Sequence, residues 1–220
     1  MIKSIYISRS KTDVPLLLNF CSEQGIHLES KSMISFVGLD FKVEESFDVV
    51  FFSSPRSVQF FLEKHTLSGQ ILIGCVGHAT ADELAKWGLN ASFIGSNAGH
   101  PEQVGASFKN WLGNRKVLFP LSLNSNKTIT SQIPTEQKLE IAVYQTISTP
   151  QQIEKADLYV FTSPSNLKAF LLVNEVPITP VIAWGNTTAQ AISNAGMKLI
   201  HVLKSATEEE LVSFLASHLN

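Results

Sequence analysis

The chain has few of the residues that mark a metal site, a disulfide, a nucleotide site or a membrane segment. Its 220 residues contain two cysteines, Cys21 and Cys75, both in apolar surroundings, so two buried thiols are expected rather than a disulfide. The six histidines, at 27, 65, 78, 100, 201 and 218, show no ligand spacing. With neither CxxC nor HxxxH, no metal site is expected. A Gly-Lys-Ser/Thr phosphate loop is absent, and so is GxGxxG. No run approaches 18 apolar residues, and the opening MIKSIYISRSK lacks the apolar stretch of a signal peptide. Neither sign of charge dominates: 17 basic and 19 acidic residues leave a net −2. Nucleic acid and membrane surfaces are therefore not implied as partners, and a cytoplasmic protein is expected.

What the chain does contain is a repeat. Residues 48–95 and 157–203 share a register in which Asp48 matches Asp157, Phe52 matches Phe161, and Ser54-Pro55 matches Ser163-Pro164. After a slip of one residue, Gly77-His-Ala-Thr-Ala81 matches Gly185-Asn-Thr-Thr-Ala189. A repeat of about half the chain argues for two similar halves rather than a solenoid, whose units run ~20–50 residues.

Short apolar runs alternate with amphipathic stretches, the pattern of a parallel sheet with crossover helices. Strands are predicted at 2–8, 27–35, 48–53, 71–76 and 91–95, then at 116–120, 139–146, 157–162, 180–184 and 198–203, five per half. Ser54-Pro55 and Ser163-Pro164 read as helix caps with proline in the first helical position. Thr207 with Glu210 reads as a capping box. Gly25, Gly88, Gly113 and Gly196 stand where helices end. Segments near 36–46 and 147–156 are the linker candidates.

Ligands of open parallel sheets bind beyond the carboxyl ends of the strands. Helices starting there point free N–H groups and partial positive charge at the ligand. Ser53, Ser54, Thr162, Ser163 and Ser165 add hydroxyls, so these turns suit carboxylate or phosphate; simple helix capping is the competing explanation. Thr80, Thr187 and Thr188 offer donors one strand over. Arg9 and Arg56 lie at expected strand ends. Tyr144 lies near the end of a strand, where its phenol either packs or serves as a weak acid. No strong nucleophile is evident.

On these pieces the chain resembles the uroporphyrinogen-III synthase family. The matching segments are Phe51-Phe-Ser-Ser-Pro-Arg-Ser-Val58, Val76-Gly-His-Ala-Thr-Ala81, Val143-Tyr-Gln-Thr146, Phe161-Thr-Ser-Pro-Ser165 and Trp184-Gly-Asn-Thr-Thr-Ala189, in order over nearly the full length. The resemblance implies two flavodoxin-like three-layer α/β/α domains with parallel five-stranded sheets, related by internal duplication with swapped segments and joined by two linkers. The domains would be 1–36 plus 153–220, and 37–152, with a cleft between them.

The resemblance also implies the reaction. Linear hydroxymethylbilane loses its hydroxyl to give an azafulvene, which bonds to the substituted carbon of ring D. The resulting spiro intermediate fragments and recloses with ring D inverted, as uroporphyrinogen III. No cofactor is implied. Tyr144 matches the family's cleft tyrosine, a candidate to assist departure of the hydroxyl. Thr80, Thr187 and Thr188 match cleft threonines, Ser54 and Ser163 match turn serines, and Arg9 matches a frequent arginine. Two departures stand out. The stretch after Val117–Ser122 carries no cation before Lys127, where many bacterial members have arginines. Ser165 stands where the first copy has Arg56. A monomer receiving its unstable substrate from hydroxymethylbilane synthase is the expected setting. The competing reading is a non-catalytic two-lobed binder of an anionic metabolite. A flavodoxin-type redox protein rests on fold analogy alone.

Overall fold

A computed structural model describes residues 2–96 and 99–218. Among these described residues lie eleven strands and seven α-helices. In chain order they are β1 (Ser4–Ile7), α1 (Pro15–Glu23), β2 (His27–Ser30), β3 (Ile34–Gly38), β4 (Val49–Phe52), α2 (Pro55–Leu62), β5 (Leu72–Cys75), α3 (His78–Lys86) and β6 (Phe93–Ile94). There follow α4 (Pro101–Leu112), β7 (Val117–Ser122), β8 (Lys138–Ser148), β9 (Leu158–Phe161), α5 (Pro164–Phe170), β10 (Val181–Ala183), α6 (Asn186–Asn194), β11 (Leu199–Val202) and α7 (Glu208–His218). The chain divides into two compact units, Met1–Ser35 with Ile147–Asn220, and Phe36–Thr146.

In the first unit the sheet order is β11-β10-β9-β1-β2, and all its pairs are parallel. Its central strands are buried on both faces. Ile5, Ile7, Leu158 and Val160 join one core cluster, while Tyr6, Tyr159 and Phe161 join the other. Alternation of apolar side chains to opposite faces requires helices on both sides, as in other parallel sheets. Each fully buried Phe or Tyr ring contributes about 1.5–3 kcal/mol over an exposed one.

The second unit repeats the plan in the order β3-β8-β7-β4-β5-β6. Here Val49 and Phe51 face one cluster, and Val50 and Phe52 face the other. The count departs from the expected five. The predicted strand 27–35 is two strands, because the chain breaks at Lys31–Met33 between β2 and β3. The second piece takes the edge position beside β8, where the Leu39 amide donates to the Val143 carbonyl at 2.9 Å. Gly74 in β5 lets the rings of the unit close on the sheet. A Cβ there would lie 2.9 Å from Phe51 and 3.1 Å from Phe108.

The repeated aspartates hold strands rather than ligands. Asp157 accepts from the amides of Lys3 (2.7 Å) and Ser4 (3.0 Å), tying β9 to β1. Asp48 does the same for the Lys116 amide (2.9 Å), tying β4 to β7. At α7, Thr207 accepts from the Glu210 amide (3.3 Å) as a cap should. Glu210, however, accepts from Lys204 and Ser205, both at 2.8 Å, so the expected box is only half formed. Glycines 25, 88, 113 and 196 all have positive φ, between 62° and 72°, as helix-ending residues require. Both cysteines are free and buried, and burial pushes the Cys21 thiol up to about 11.

The backbone hydrogen bonds from Lys3 and Ser4 hold the Asp157 carboxyl below its ordinary pKa. Its contribution is therefore present above the unfolded value near ~3.9 and lost as pH falls through the lower folded value. Asp157→Asn should melt below wild type at pH 7, and the gap should close as the pH drops below ~4. Thermal melts from pH 7 to 3 check this.

Candidate functional site

Each sheet has one switch point, where successive crossovers leave in opposite directions. In the first unit it lies between β1 and β9, and in the second between β4 and β7. The crevice beyond such a point is the usual ligand position in open α/β sheets.

At the first switch point Ser8 follows β1 and Thr162 follows β9. The two residues clasp each other. The Thr162 amide donates to Ser8 Oγ (2.8 Å), the Thr162 hydroxyl donates to the Ser8 carbonyl (2.9 Å), and the two side-chain oxygens lie 3.2 Å apart. Thr162 thus joins the strand ends before it can serve a ligand. Ser163 caps α5 by accepting from the Asn166 amide at 3.2 Å. Asn166 is 4% exposed, and its Nδ2 also donates to Ser163 Oγ at 3.1 Å. Its Oδ1 accepts from the Met33 amide at 2.8 Å, so one amide side chain joins the turn to the break between β2 and β3. Ser165 and Thr187 are exposed. The Arg9 guanidinium lies 4.4 Å from the Trp184 ring centroid, a cation–π contact. Burial lowers the Arg9 pKa, with Asp13 and Glu208 acting in the opposite sense. It stays cationic, as arginine does in proteins.

In the second unit Ser53 and Ser54 follow β4, both half-buried. Ser54 caps α2 in a full capping box: its Oγ accepts from the Ser57 amide (3.2 Å), and Ser57 Oγ accepts from the Ser54 amide (3.3 Å). Arg56 is exposed, with its guanidinium 3.5 Å from the Phe36 ring centroid. Tyr144 reaches this corner from β8. Its phenol oxygen is 3.4 Å from Ser54 Oγ. Phe60 stacks on its ring (centroids 5.3 Å apart, 16° between planes), and Phe36 meets it edge-on at 6.1 Å. A register shift in the β7–β8 pairing, between Leu121 and Ser122, puts Tyr144 opposite Ser122. Irregularities of this kind re-aim side chains near functional sites.

Thr80 and Thr188 depart from expectation. They are 1% and 3% exposed. Each is the third residue of a helix packed on its neighbour, α3 on α2 and α6 on α5, and each is buried there. Both read as packing residues rather than open donors. Sequence reasoning also missed Ser8, Asn166, Phe36 and Phe60. Only Asn166 left a usable signal, a polar residue three places after a cap, as Ser57 is. Among the described residues no group of His, Cys, Asp and Glu could hold a metal ion. No described helix is long and apolar enough to cross a membrane.

The class that emerges is a two-unit α/β protein, each unit carrying a five-strand parallel array with hydroxyl-rich turns at its switch point, the second unit adding β3 at its edge in antiparallel sense to β8. The family model for uroporphyrinogen-III synthase HemD matches residues 21–213, and the chain belongs to that family. The fold is similar to a uroporphyrinogen-III synthetase from Helicobacter pylori, at TM-score 0.72 and 19% identity, covering 100% of both chains. It is also similar to a mutant uroporphyrinogen III synthase from Thermus thermophilus, at TM-score 0.61 and 12% identity, covering 97% of this chain and 98% of that one. No curated protein sequence matches it. The chain is accordingly a lyase of tetrapyrrole biosynthesis that cyclises hydroxymethylbilane to uroporphyrinogen III with inversion of ring D.

Asn166→Ala should lower the melting temperature. It strands the buried Met33 amide, and an unsatisfied buried donor costs about 1–3 kcal/mol. A thermal melt indistinguishable from wild type would show that the amide finds another partner.

Proposed function

We propose that the strand-end turns of the two units take carboxylates of hydroxymethylbilane while Tyr144 assists departure of its hydroxyl. The observation that carries this is the setting of Tyr144. Its phenol stands beside the capping serine of α2, with its ring held by Phe60 and Phe36. A helix N-terminus favours developing negative charge by ~0.3–1 kcal/mol at exposed sites. A phenol that has given its proton to the leaving hydroxyl carries such charge. The azafulvene then bonds to the substituted carbon of ring D. The bilane also cyclises without the enzyme to the uninverted isomer, so the protein acts chiefly by orientation.

The proposed contacts are Arg9, Ser163, Ser165 and Thr187 in the first unit, and Ser53, Ser54 and Arg56 in the second. Thr162, Thr80 and Thr188 support them from within. The substrate carries eight carboxylates, whereas the protein has a net charge of −2. Local donors therefore matter more than the overall field. A carrier that merely binds an anion is not favoured by the family assignment.

The two units read as one duplicated flavodoxin-like plan. Numbered within its own unit, the first sheet runs 2-1-3-4-5 and the second, without β3, runs 5-4-1-2-3. The second order is the first with two strands moved from the beginning to the end of the segment. That supports two domains with exchanged strands, each built around one of these sheets. We place the enzyme in the cytoplasm, as a monomer that receives the bilane from hydroxymethylbilane synthase.

The first test couples the protein to hydroxymethylbilane synthase with porphobilinogen, then oxidises and separates the uroporphyrin isomers. Type III should dominate. Type I alone from folded protein would overturn the function. Tyr144→Phe should lower kcat by about 10²-fold, at the low end for a general acid because tyrosine is a weak one. Unchanged kcat would remove Tyr144 from the chemistry and leave the enzyme assignment intact.

A further inference from the structure

Beyond the carboxyl ends of β4 and β7, the second unit holds a pocket of about 260 Å³. It opens at the switch point, yet of the contacts proposed above only Ser53 lines it. Its apolar part comes from Phe51, Phe119, Val76 and Ile129. Its polar part comes from Ser53 and from the loop Ser125-Asn126-Lys127-Thr128. An apolar wall with a few polar groups at one side is the usual make-up of a small-molecule site. Sites for drug-sized ligands run ~300–1,000 Å³, so this one suits a single small ring rather than a tetrapyrrole.

The loop is built around its cation. Lys127 has φ of 55°, one of two non-glycine residues with positive φ among the described residues. That conformation is unfavourable for a residue with a Cβ. It is held by hydrogen bonds to the Lys127 carbonyl from the Ser131 amide (2.8 Å) and the Thr130 hydroxyl (3.4 Å). The Lys127 ammonium pairs with Glu140 at 2.6 Å. Glu140 also has Lys138 at 3.7 Å, and Lys138 donates to the Thr130 carbonyl at 2.8 Å. Two ammonium groups therefore share the Glu140 carboxylate, which itself lines a separate pocket with Lys42, Glu44 and Glu45, so of this group only Lys127 borders the pocket at the switch point.

We propose that this pocket is a subsite for one pyrrole ring of the substrate. The ring lies against Phe51, Phe119 and Ile129, and a carboxylate side arm pairs with Lys127. The inference rests on the reading of the chain as acting on hydroxymethylbilane. Glu140 competes with that arm for Lys127, so the two residues have opposite effects on binding. A scaffolding role for the ion pair would make both losses act in the same direction.

The test is steady-state kinetics with hydroxymethylbilane, with thermal melts to confirm folding. Lys127→Gln should raise KM about 5–10-fold, more than it lowers kcat, and should reduce the type III fraction at limiting bilane. Lys127→Arg should restore wild-type KM. Glu140→Gln should lower KM severalfold, with the gain shrinking at high salt as screened charge pairs do. An unchanged KM in Lys127→Gln, or KM shifts of the same sign in Lys127→Gln and Glu140→Gln, would overturn the subsite. Failure of the wild-type protein to make type III would instead overturn the reading beneath it.

Discussion

The constraint on which this structure depends is burial of the central strands on both faces. In β1, β4 and β9 nearly every side chain is withdrawn from water, and successive residues feed opposite core clusters. A strand of this kind has no polar face to offer a ligand. Chemistry is therefore expelled to the residues just past the strand ends. There Ser8, Ser53, Ser54, Thr162 and Ser163 stand, and there the helices begin. The same constraint explains the large number of ring contacts beneath the turns. Phe51, Phe108 and Phe119 fix one floor, and Tyr6, Phe161 and Phe170 another. Closely packed floors of this kind fix the positions of the turns above them.

Charge sets the second condition. A substrate with eight carboxylates meets a protein with no excess of cations. Attraction cannot come from the overall field, which a Debye length near ~8 Å would confine in any case. It has to come from donors at short range. Arg9 and Arg56 are each laid over an aromatic ring, Trp184 and Phe36. Such stacking holds a guanidinium in place and limits its rotamer freedom while it keeps its charge. The cations at the turns are thus few but positioned.

Much of the fold was legible because its signals are local. Runs such as Val49–Phe52 and Leu158–Phe161 are apolar without alternation, as doubly buried strands are, and the Ser-Pro caps sit where the helices start. The break at Lys31–Met33 was not legible. The stretch His27–Ser35 has no proline or glycine to mark it, and the break is held by Asn166, 133 residues along the chain from Met33. The site divided in the same way. Residue types at the turns marked the corners where the strands end, but burial within them is a tertiary property. Thr187 and Thr188 are adjacent and both hydroxylated, yet one is exposed and the other buried. Lys127 could be noticed only as a gap in a pattern, because the pocket it lines forms from separate stretches of chain.

The sequence repeat also shows where the two units diverge. Asp48 and Asp157 perform the same task, satisfying backbone amides of the neighbouring strand. Ser54 and Ser163 both cap a helix through the residue three places on. The frame is thus shared to the level of single hydrogen bonds. The partners of the two caps are not. Ser54 faces the phenolic hydroxyl of Tyr144, whereas Ser163 faces the side-chain amide of Asn166. Arg56 in one turn is Ser165 in the other. The substrate makes unequal demands as well: one end of the bilane must lose a hydroxyl, while the remaining rings need only be held. Two chemically identical turns would offer the proton donor twice and gain nothing from the second. Under the proposed mechanism the second unit would carry the acid and the ring subsite, and the first would contribute the clasped Ser8–Thr162 strand ends, Arg9 and exposed hydroxyls, a set suited to holding carboxylates.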